Sequence, residues 1–126
     1  MKTLYIVRHG ETDWNKMGKY QGITDIPLNE NGLNQAKACG NALKDVTFDR
    51  ILSSDLSRAL VTAETIRGDR TTSITVDKRL RELNFGDWEA MLFSDIEARW
   101  PGLIDEMYLR PHLVKVPNGE SFKDLQ

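Results

Sequence analysis

Residues 4–12 of the chain read LYIVRHGET, and this stretch decides how the rest of the sequence is interpreted. Four apolar residues in a row, 4–7, are typical of a short strand that is buried on both faces of a parallel sheet. Arg8, His9 and Gly10 follow at the carboxyl end of that predicted strand. Because ligands bind at this edge in open α/β sheets, the sequence predicts a functional site around His9.

The side chains at this edge suit an anionic ligand. Neutral imidazole is a good nucleophile at about pH 7, because its unperturbed pKa lies close by. Arg8 offers a planar set of donors that fits a phosphate or a carboxylate, and Gly10 lets the backbone approach a bound group. The alternative is structural, with His9 bonded to the backbone and Arg8 in a surface ion pair. The residues alone leave both interpretations open.

Helix and strand signals alternate along the rest of the chain. Asn29, Ser54 or Asp55, and Ser94 are the expected helix caps. We expect a loop over residues 10–28, helices over 30–44, 54–67, 94–100 and 103–109, and strands over 49–53 and 73–76. Residues 79–88 and 111–118 are predicted to be irregular, and a last helix begins near Glu120.

This alternation predicts an α/β fold with a mostly parallel sheet flanked by helices. The helix begun near Glu120 has too few residues to be stable alone and no following strand to pack on. We therefore expect residues 1–126 to be a single domain that lacks its C-terminal strand or strands.

Composition excludes several classes of protein. A chain of 126 residues with 40% hydrophobic content can form one modest core. Its net charge of -2 does not favour binding to nucleic acid or a membrane, so an anionic substrate would need local arginines. Cys39 is the single cysteine, which fits a reducing compartment, and no apolar stretch near the start is long enough for a signal peptide or a span. We expect a cytoplasmic protein.

Five segments together resemble the histidine phosphatase superfamily, also called the phosphoglycerate mutase-like proteins. They are LYIVRHGETDWN at residues 4–15, QGITDIPL at 21–28, SSDLSRA at 53–59, RELNFGDWE at 81–89 and PNGES at 117–121. Five matches in the family's order, spread over the whole chain, are far more specific than a single motif. The resemblance implies the phosphoglycerate mutase-like fold.

The resemblance also implies an activity, that of a metal-independent phosphomonoesterase without a cofactor, acting through a phosphohistidine intermediate. His9 would be the nucleophile, and Arg8 and Arg58 would bind the transferring phosphoryl oxygens. Glu82 would be the general acid, which requires a raised pKa. The resemblance places further substrate-binding groups at Asn15, Gln21 and Gly22.

Arg58 has a local argument of its own. In the first turn of its predicted helix, the free N–H groups and the dipole already favour an anion, so an arginine there is misplaced unless an anion binds close by. The alternative is a surface pair with Asp55 or Glu82.

Three other titratable residues are weaker candidates for catalysis. Asp87 and Glu89 rival Glu82 on spacing, but only Glu82 matches the family position. His112 is expected to be a packed or surface loop histidine.

One family feature has no counterpart here. The family carries a second active-site histidine after the segment that PNGES matches, whereas His112 precedes that segment. A fragment of a longer protein, or a natural short form with little activity, would explain this departure, and we favour the fragment.

The segment FGDWE at residues 85–89 resembles the phosphatase branch, including α-ribazole phosphatases and broad-specificity phosphatases, and fructose-2,6-bisphosphatase-like members are also close. The expected partner is a small phosphorylated substrate, and the oligomeric state, monomer or homo-oligomer, stays open. Trp14, Trp88, Trp100 and Tyr108 would wall the leaving group or belong to the core. Two other functions remain alternatives: a phosphoglycerate mutase and a non-catalytic phospho-ligand binding module.

Overall fold

The computed structural model describes residues 1–126 and combines six α-helices with two parallel strands. The elements are α1 (Asp13–Met17), α2 (Glu30–Ala42), β1 (Ile51–Ser53), α3 (Ser57–Arg67), β2 (Ile74–Val76), α4 (Phe93–Arg99), α5 (Leu103–Leu109) and α6 (Phe122–Leu125). Short 3-10 turns lie at Lys78–Leu80, Gly86–Trp88 and Pro111–Leu113. The predicted fold class, α/β with a parallel sheet and flanking helices, is confirmed. No helix is both long and apolar enough to cross a lipid bilayer.

The sheet is a single parallel pair connected by α3. Ile51 on β1 lies opposite Ile74 on β2, and Ser53 lies opposite Val76. Parallel strands need a crossover connection, and α3 supplies it while packing against α2. The first turn of α3, which carries Arg58, therefore lies just beyond the carboxyl end of β1.

The predicted strand at residues 4–7 is not part of this sheet. Its backbone forms no hydrogen bond with another strand, and the side chains of Leu4 and Ile6 are 80% and 87% exposed. The prediction of a strand buried on both faces is wrong for this chain, because β1 and β2 pair with each other and no other strand is present to flank residues 4–7. Tyr5 alone makes an aromatic contact, edge-on against Phe48.

Helix α2 begins as the sequence predicts and packs on the segment after His9. Asn29 caps it by accepting a hydrogen bond from the N–H of Gly32. A Cβ at Gly32 would lie 2.1 Å from the carbonyl oxygen of Glu11. Only a glycine at position 32 therefore lets the start of α2 contact the backbone of Glu11, two residues after His9. Glycine is otherwise unfavourable inside a helix.

Three helix starts differ from the prediction. Neither Ser54 nor Asp55 caps α3; Asp25, from the loop before α2, accepts hydrogen bonds from the N–H and the hydroxyl of Ser57. Ser94 does not cap α4, which begins after Leu92. Helix α1 lies in the predicted loop, where Thr12 and Asn15 form a reciprocal capping box.

The largest apolar cluster lies in the second half of the chain, away from the sheet. Trp88 is fully buried at its centre and Trp100 packs against it, so both belong to the core, whereas Tyr108 is exposed. The other buried members are Leu83, Ile96, Ile104, Met107, Val114 and Val116. This cluster fixes the segment that carries Glu82, whose neighbour Leu83 is one of its members.

Candidate functional site

The imidazole of His9 is held in one orientation by the backbone. Nδ1 lies 2.6 Å from the carbonyl oxygen of Gly10, and because a carbonyl only accepts, Nδ1 carries the proton in this contact. The expected support of one ring nitrogen by a backbone carbonyl is thus present. The other nitrogen, Nε2, lies 3.4 Å from Oε2 of Glu82. The free nitrogen of His9 and the carboxylate of Glu82 face the same space.

Arg58 enters this space from the first turn of α3. Its side chain is 1% exposed, so it is not a surface arginine. Nη1 donates to the carbonyl of Thr24 at 2.7 Å, and Nη2 donates to the carbonyl of Gly22 and to Oε2 of Glu82, the latter at 2.9 Å. The guanidinium and the helix N-terminus therefore both place positive potential here.

Glu82 joins the other two side chains, with Oε2 in contact with both His9 and Arg58. Burial raises the pKa of its half-exposed carboxyl, but the contacts with His9 and Arg58, and the positive charge that these bases can carry, outweigh burial and hold the pKa below its usual value of 4.5. The raised pKa that a general acid requires is therefore not present here, because two basic side chains stabilise the carboxylate.

A hydroxyl links the other predicted substrate-binding residues. Thr12, which is fully buried, donates its hydroxyl to Oε1 of Gln21 at 2.6 Å and contacts Oδ1 of Asn15 at 3.0 Å. Both amide oxygens are therefore engaged, and the two amide NH2 groups have no hydrogen bond within the chain. They remain available as neutral donors to a ligand.

Not every candidate joins the cluster. Arg8 is exposed and makes no ion pair or hydrogen bond, although it lines a pocket of about 260 Å³ together with His9, Gly10 and Thr62. His112 is exposed on the turn Pro111–Leu113. Asp87 accepts a hydrogen bond from the side chain of Asn118 rather than contacting His9.

Sequence reasoning missed two residues that connect the parts of the site. The Thr62 hydroxyl accepts from the N–H of Gly10 and donates to the carbonyl of Arg58, which ties the turn after His9 to α3. Glu89, considered only as a rival acid, instead binds the backbone at Gly22 and Thr24. No local signal marks either role, whereas the Thr-x-x-Asn spacing at Thr12 could have revealed the capping box.

The assembled site combines a nucleophilic nitrogen, a buried guanidinium and a carboxylate within contact distance. Such a set can bind an oxyanion, attack it and move a proton at the departing oxygen. Arg58 and Glu82 are brought to His9 by α3 and by the segment before the turn Gly86–Trp88, which are far apart in the sequence.

Several known proteins are similar to this chain. Phosphoserine phosphatase 1 of Hydrogenobacter thermophilus is 35% identical over 121 residues, which cover 96% of this chain and 57% of that protein. "Probable phosphoglycerate mutase GpmB" of Salmonella choleraesuis is 36% identical over 125 residues, which cover 99% of this chain and 58% of that protein. The crystal structure of the α-ribazole phosphatase from Shigella flexneri matches with a TM-score of 0.85 and 34% identity, covering 94% of this chain and 59% of that one.

The chain therefore spans less than two thirds of the length of each of these proteins. The family model of the histidine phosphatase superfamily (branch 1) matches residues 4–126, nearly the whole chain. This match contains all five segments noted in the sequence, and the chain belongs to branch 1 of the histidine phosphatase superfamily.

Proposed function

We propose that this chain carries the phosphate-binding half of a metal-independent phosphomonoesterase that acts through a phosphohistidine intermediate. The observation that supports it most strongly is the meeting of three side chains at Oε2 of Glu82, with Nε2 of His9 at 3.4 Å and Nη2 of Arg58 at 2.9 Å. Phosphoryl transfer depends mainly on positioning and charge stabilisation, and this arrangement offers both without a metal ion.

The proposed reaction has two steps. In the first, Nε2 of His9 bonds to phosphorus while the ester P–O bond breaks, and Glu82 gives a proton to the leaving oxygen. In the second, Glu82 takes a proton from a water molecule that attacks phosphorus, the P–N bond breaks and inorganic phosphate leaves. Arg58 and Arg8 stabilise the phosphoryl oxygens, and Asn15, Gln21 and Gly22 bind the substrate around them.

Glu82 must hold a proton to act first as an acid, although its pKa is lowered in the ligand-free chain. A bound phosphate ester adds negative charge beside the carboxyl and competes for the donors of Arg58. Both changes disfavour the carboxylate and raise its pKa. Substrate binding would thus prepare the general acid.

The proposed substrate is a small phosphorylated metabolite. Among the similar proteins, one is named for phosphoserine and one for α-ribazole, and both are phosphatases. We keep α-ribazole phosphate and broad specificity as candidates, with a cytoplasmic location. A phosphoglycerate mutase is the second candidate function, because "Probable phosphoglycerate mutase GpmB" shares 36% identity.

The test uses the protein as the cell makes it, incubated with 4-nitrophenyl phosphate and a chelator, and quenched to trap acid-labile phosphoprotein. We expect phosphate release and a trapped intermediate, and we expect His9→Ala to lower the rate by about 1,000-fold or more and to remove the intermediate. His112→Ala, which removes the other histidine of residues 1–126, is the matched control and should retain activity.

Each contrary result identifies an alternative. Continued turnover by His9→Ala would reject the proposal. Stimulation by a bisphosphorylated cofactor with little net hydrolysis would indicate the mutase. Saturable vanadate binding without any phosphoprotein would indicate a binding module.

A further inference from the structure

Glu89 makes an unusual set of contacts for a residue outside the reacting cluster. It follows the turn Gly86–Trp88, and its Oε1 accepts three hydrogen bonds. They come from the N–H of Gly22 at 3.1 Å, the N–H of Thr24 at 2.9 Å and the hydroxyl of Thr24 at 2.9 Å. A carboxylate that gathers three donors from one short turn fixes that turn firmly.

The same turn holds Arg58 from its opposite side. The carbonyls of Gly22 and Thr24 accept from Nη2 and Nη1 of Arg58. The backbone of residues 22–24 therefore lies between a carboxylate that binds its N–H groups and a guanidinium that binds its carbonyls. Three N–H donors of Arg58 go to this turn and to Glu82, and the other two, on Nε and Nη1, have no hydrogen bond within the chain.

The turn has no room to adjust by itself. A Cβ at Gly22 would lie 2.0 Å from the carbonyl oxygen of Leu83 and 3.1 Å from Oε2 of Glu89. Leu83 follows Glu82 directly in the chain. The turn is thus packed against the segment that carries Glu82, and a shift of the turn would move Arg58 and Glu82 relative to each other.

We propose that Glu89 is a positioning residue for the oxyanion site: its carboxylate fixes the turn at residues 22–24 so that the guanidinium of Arg58 is held at Oε2 of Glu82, which also contacts His9. This inference rests on the proposed function in one respect: the proposed function identifies the ligand of the site as a phosphoryl group. The positioning itself can be measured in the ligand-free protein.

Glu97 provides a matched control on α4. Its Oε1 also accepts a backbone N–H, from Gly102 at 2.8 Å, and its Oε2, like that of Glu89, is buried without a partner. Glu97→Gln therefore makes the same chemical change in the same kind of environment, at a place where the backbone does not contact Arg58.

The experiment compares wild type, Glu89→Gln and Glu97→Gln in the protein as the cell makes it. The first readout is the set of side-chain N–H resonances of Arg58 without ligand. The second is vanadate affinity by calorimetry, and thermal unfolding shows that each variant folds. We expect Glu89→Gln to shift the Arg58 resonances and weaken vanadate binding by about tenfold, since a neutral amide holds the turn less firmly. Glu97→Gln should change neither the Arg58 resonances nor the vanadate affinity. Both variants should lose thermal stability.

Thr24→Val, which removes a single donor to Glu89, should give an intermediate shift, and it keeps the test informative if Glu89→Gln does not fold. Unchanged Arg58 resonances in Glu89→Gln, or equal changes in Glu97→Gln, would overturn the inference while leaving the proposed function intact. If wild type binds no vanadate, the proposed function fails, and the Arg58 resonances still decide whether Glu89 positions the guanidinium.

Discussion

Glu82 experiences opposing electrostatic influences that a pH titration can separate. Burial raises the pKa of its carboxyl, while contacts with His9 and Arg58 together lower it by more than burial raises it, so the folded pKa lies below the usual 4.5. A carboxyl with a lowered folded pKa adds stability above its unfolded pKa and loses that contribution as the pH falls through the folded value.

We therefore expect the difference in unfolding free energy between wild type and Glu82→Gln to favour wild type most at about pH 7 and to shrink toward about pH 3. Chemical denaturation at several pH values measures it. Glu64→Gln, at an exposed position on α3, is the control for exchanging a glutamate for a glutamine. A Glu82→Gln difference that stays constant across this range would contradict the assigned contacts.

The sequence predicted that His9, Arg58 and Glu82 belong to one site, but not which residues hold them there. His9, Arg58 and Glu82 lie in motifs whose resemblance to the family marks each position, and the structure places all three in contact. Glu89 binds Gly22 across 67 positions of the chain, and Thr62 binds Gly10 across 52. Such contacts depend on tertiary packing, and no local pattern of residue types indicates them.

Helix α3 depends on a cap that comes from outside the helix. Leu56, the residue before α3, has no side-chain acceptor, and Asp25 supplies one by binding the N–H and hydroxyl of Ser57. These hydrogen bonds also lower the pKa of the Asp25 carboxyl, which keeps it charged next to the positive helix end. Because Arg58 follows Ser57, the cap also fixes the position of the Arg58 backbone, from which the guanidinium extends.

We expect Asp25→Ala to lower the free energy of unfolding by about 1 kcal/mol, the usual cost of losing an N-cap. Asp95→Ala, which removes an acidic group from the first turn of α4 without removing a hydrogen bond, should cost clearly less. Urea unfolding of the two variants at neutral pH makes the comparison. Equal losses would mean that helix-dipole charge, rather than the cap, accounts for the effect of Asp25.

At the level of elements, local signals predicted most of the helices and two of the three strands, β1 and β2. The helix from Leu103 to Leu109 and the Asn29 cap follow the predicted pattern, because caps and apolar periodicity are properties of neighbouring residues. Residues 4–7 have a strand-like composition, yet they form no ladder. A strand requires a partner elsewhere in the chain, and composition alone cannot supply one.

On the scale of the whole molecule, apolar side chains are exposed in the extended segment at residues 4–7, which pairs with no strand. Leu4 and Ile6 are largely exposed, and β1 and β2 each have one open edge because they pair only with each other. Unpaired backbone groups next to exposed apolar side chains favour pairing with another chain. We therefore predict that the 126-residue chain associates with itself through the segment at residues 4–7.

Sedimentation velocity at increasing protein concentration tests this prediction, with a rising average sedimentation coefficient as the expected result. The double variant Leu4→Ser with Ile6→Ser should suppress association, because it removes the apolar part of the contact while leaving the folded core unchanged. The control is Leu109→Ser with Leu113→Ser, which removes two exposed leucines near the end of α5 and should still associate. A wild type that stays monomeric, or association lost only in the control, would show that residues 4–7 are not the contact surface.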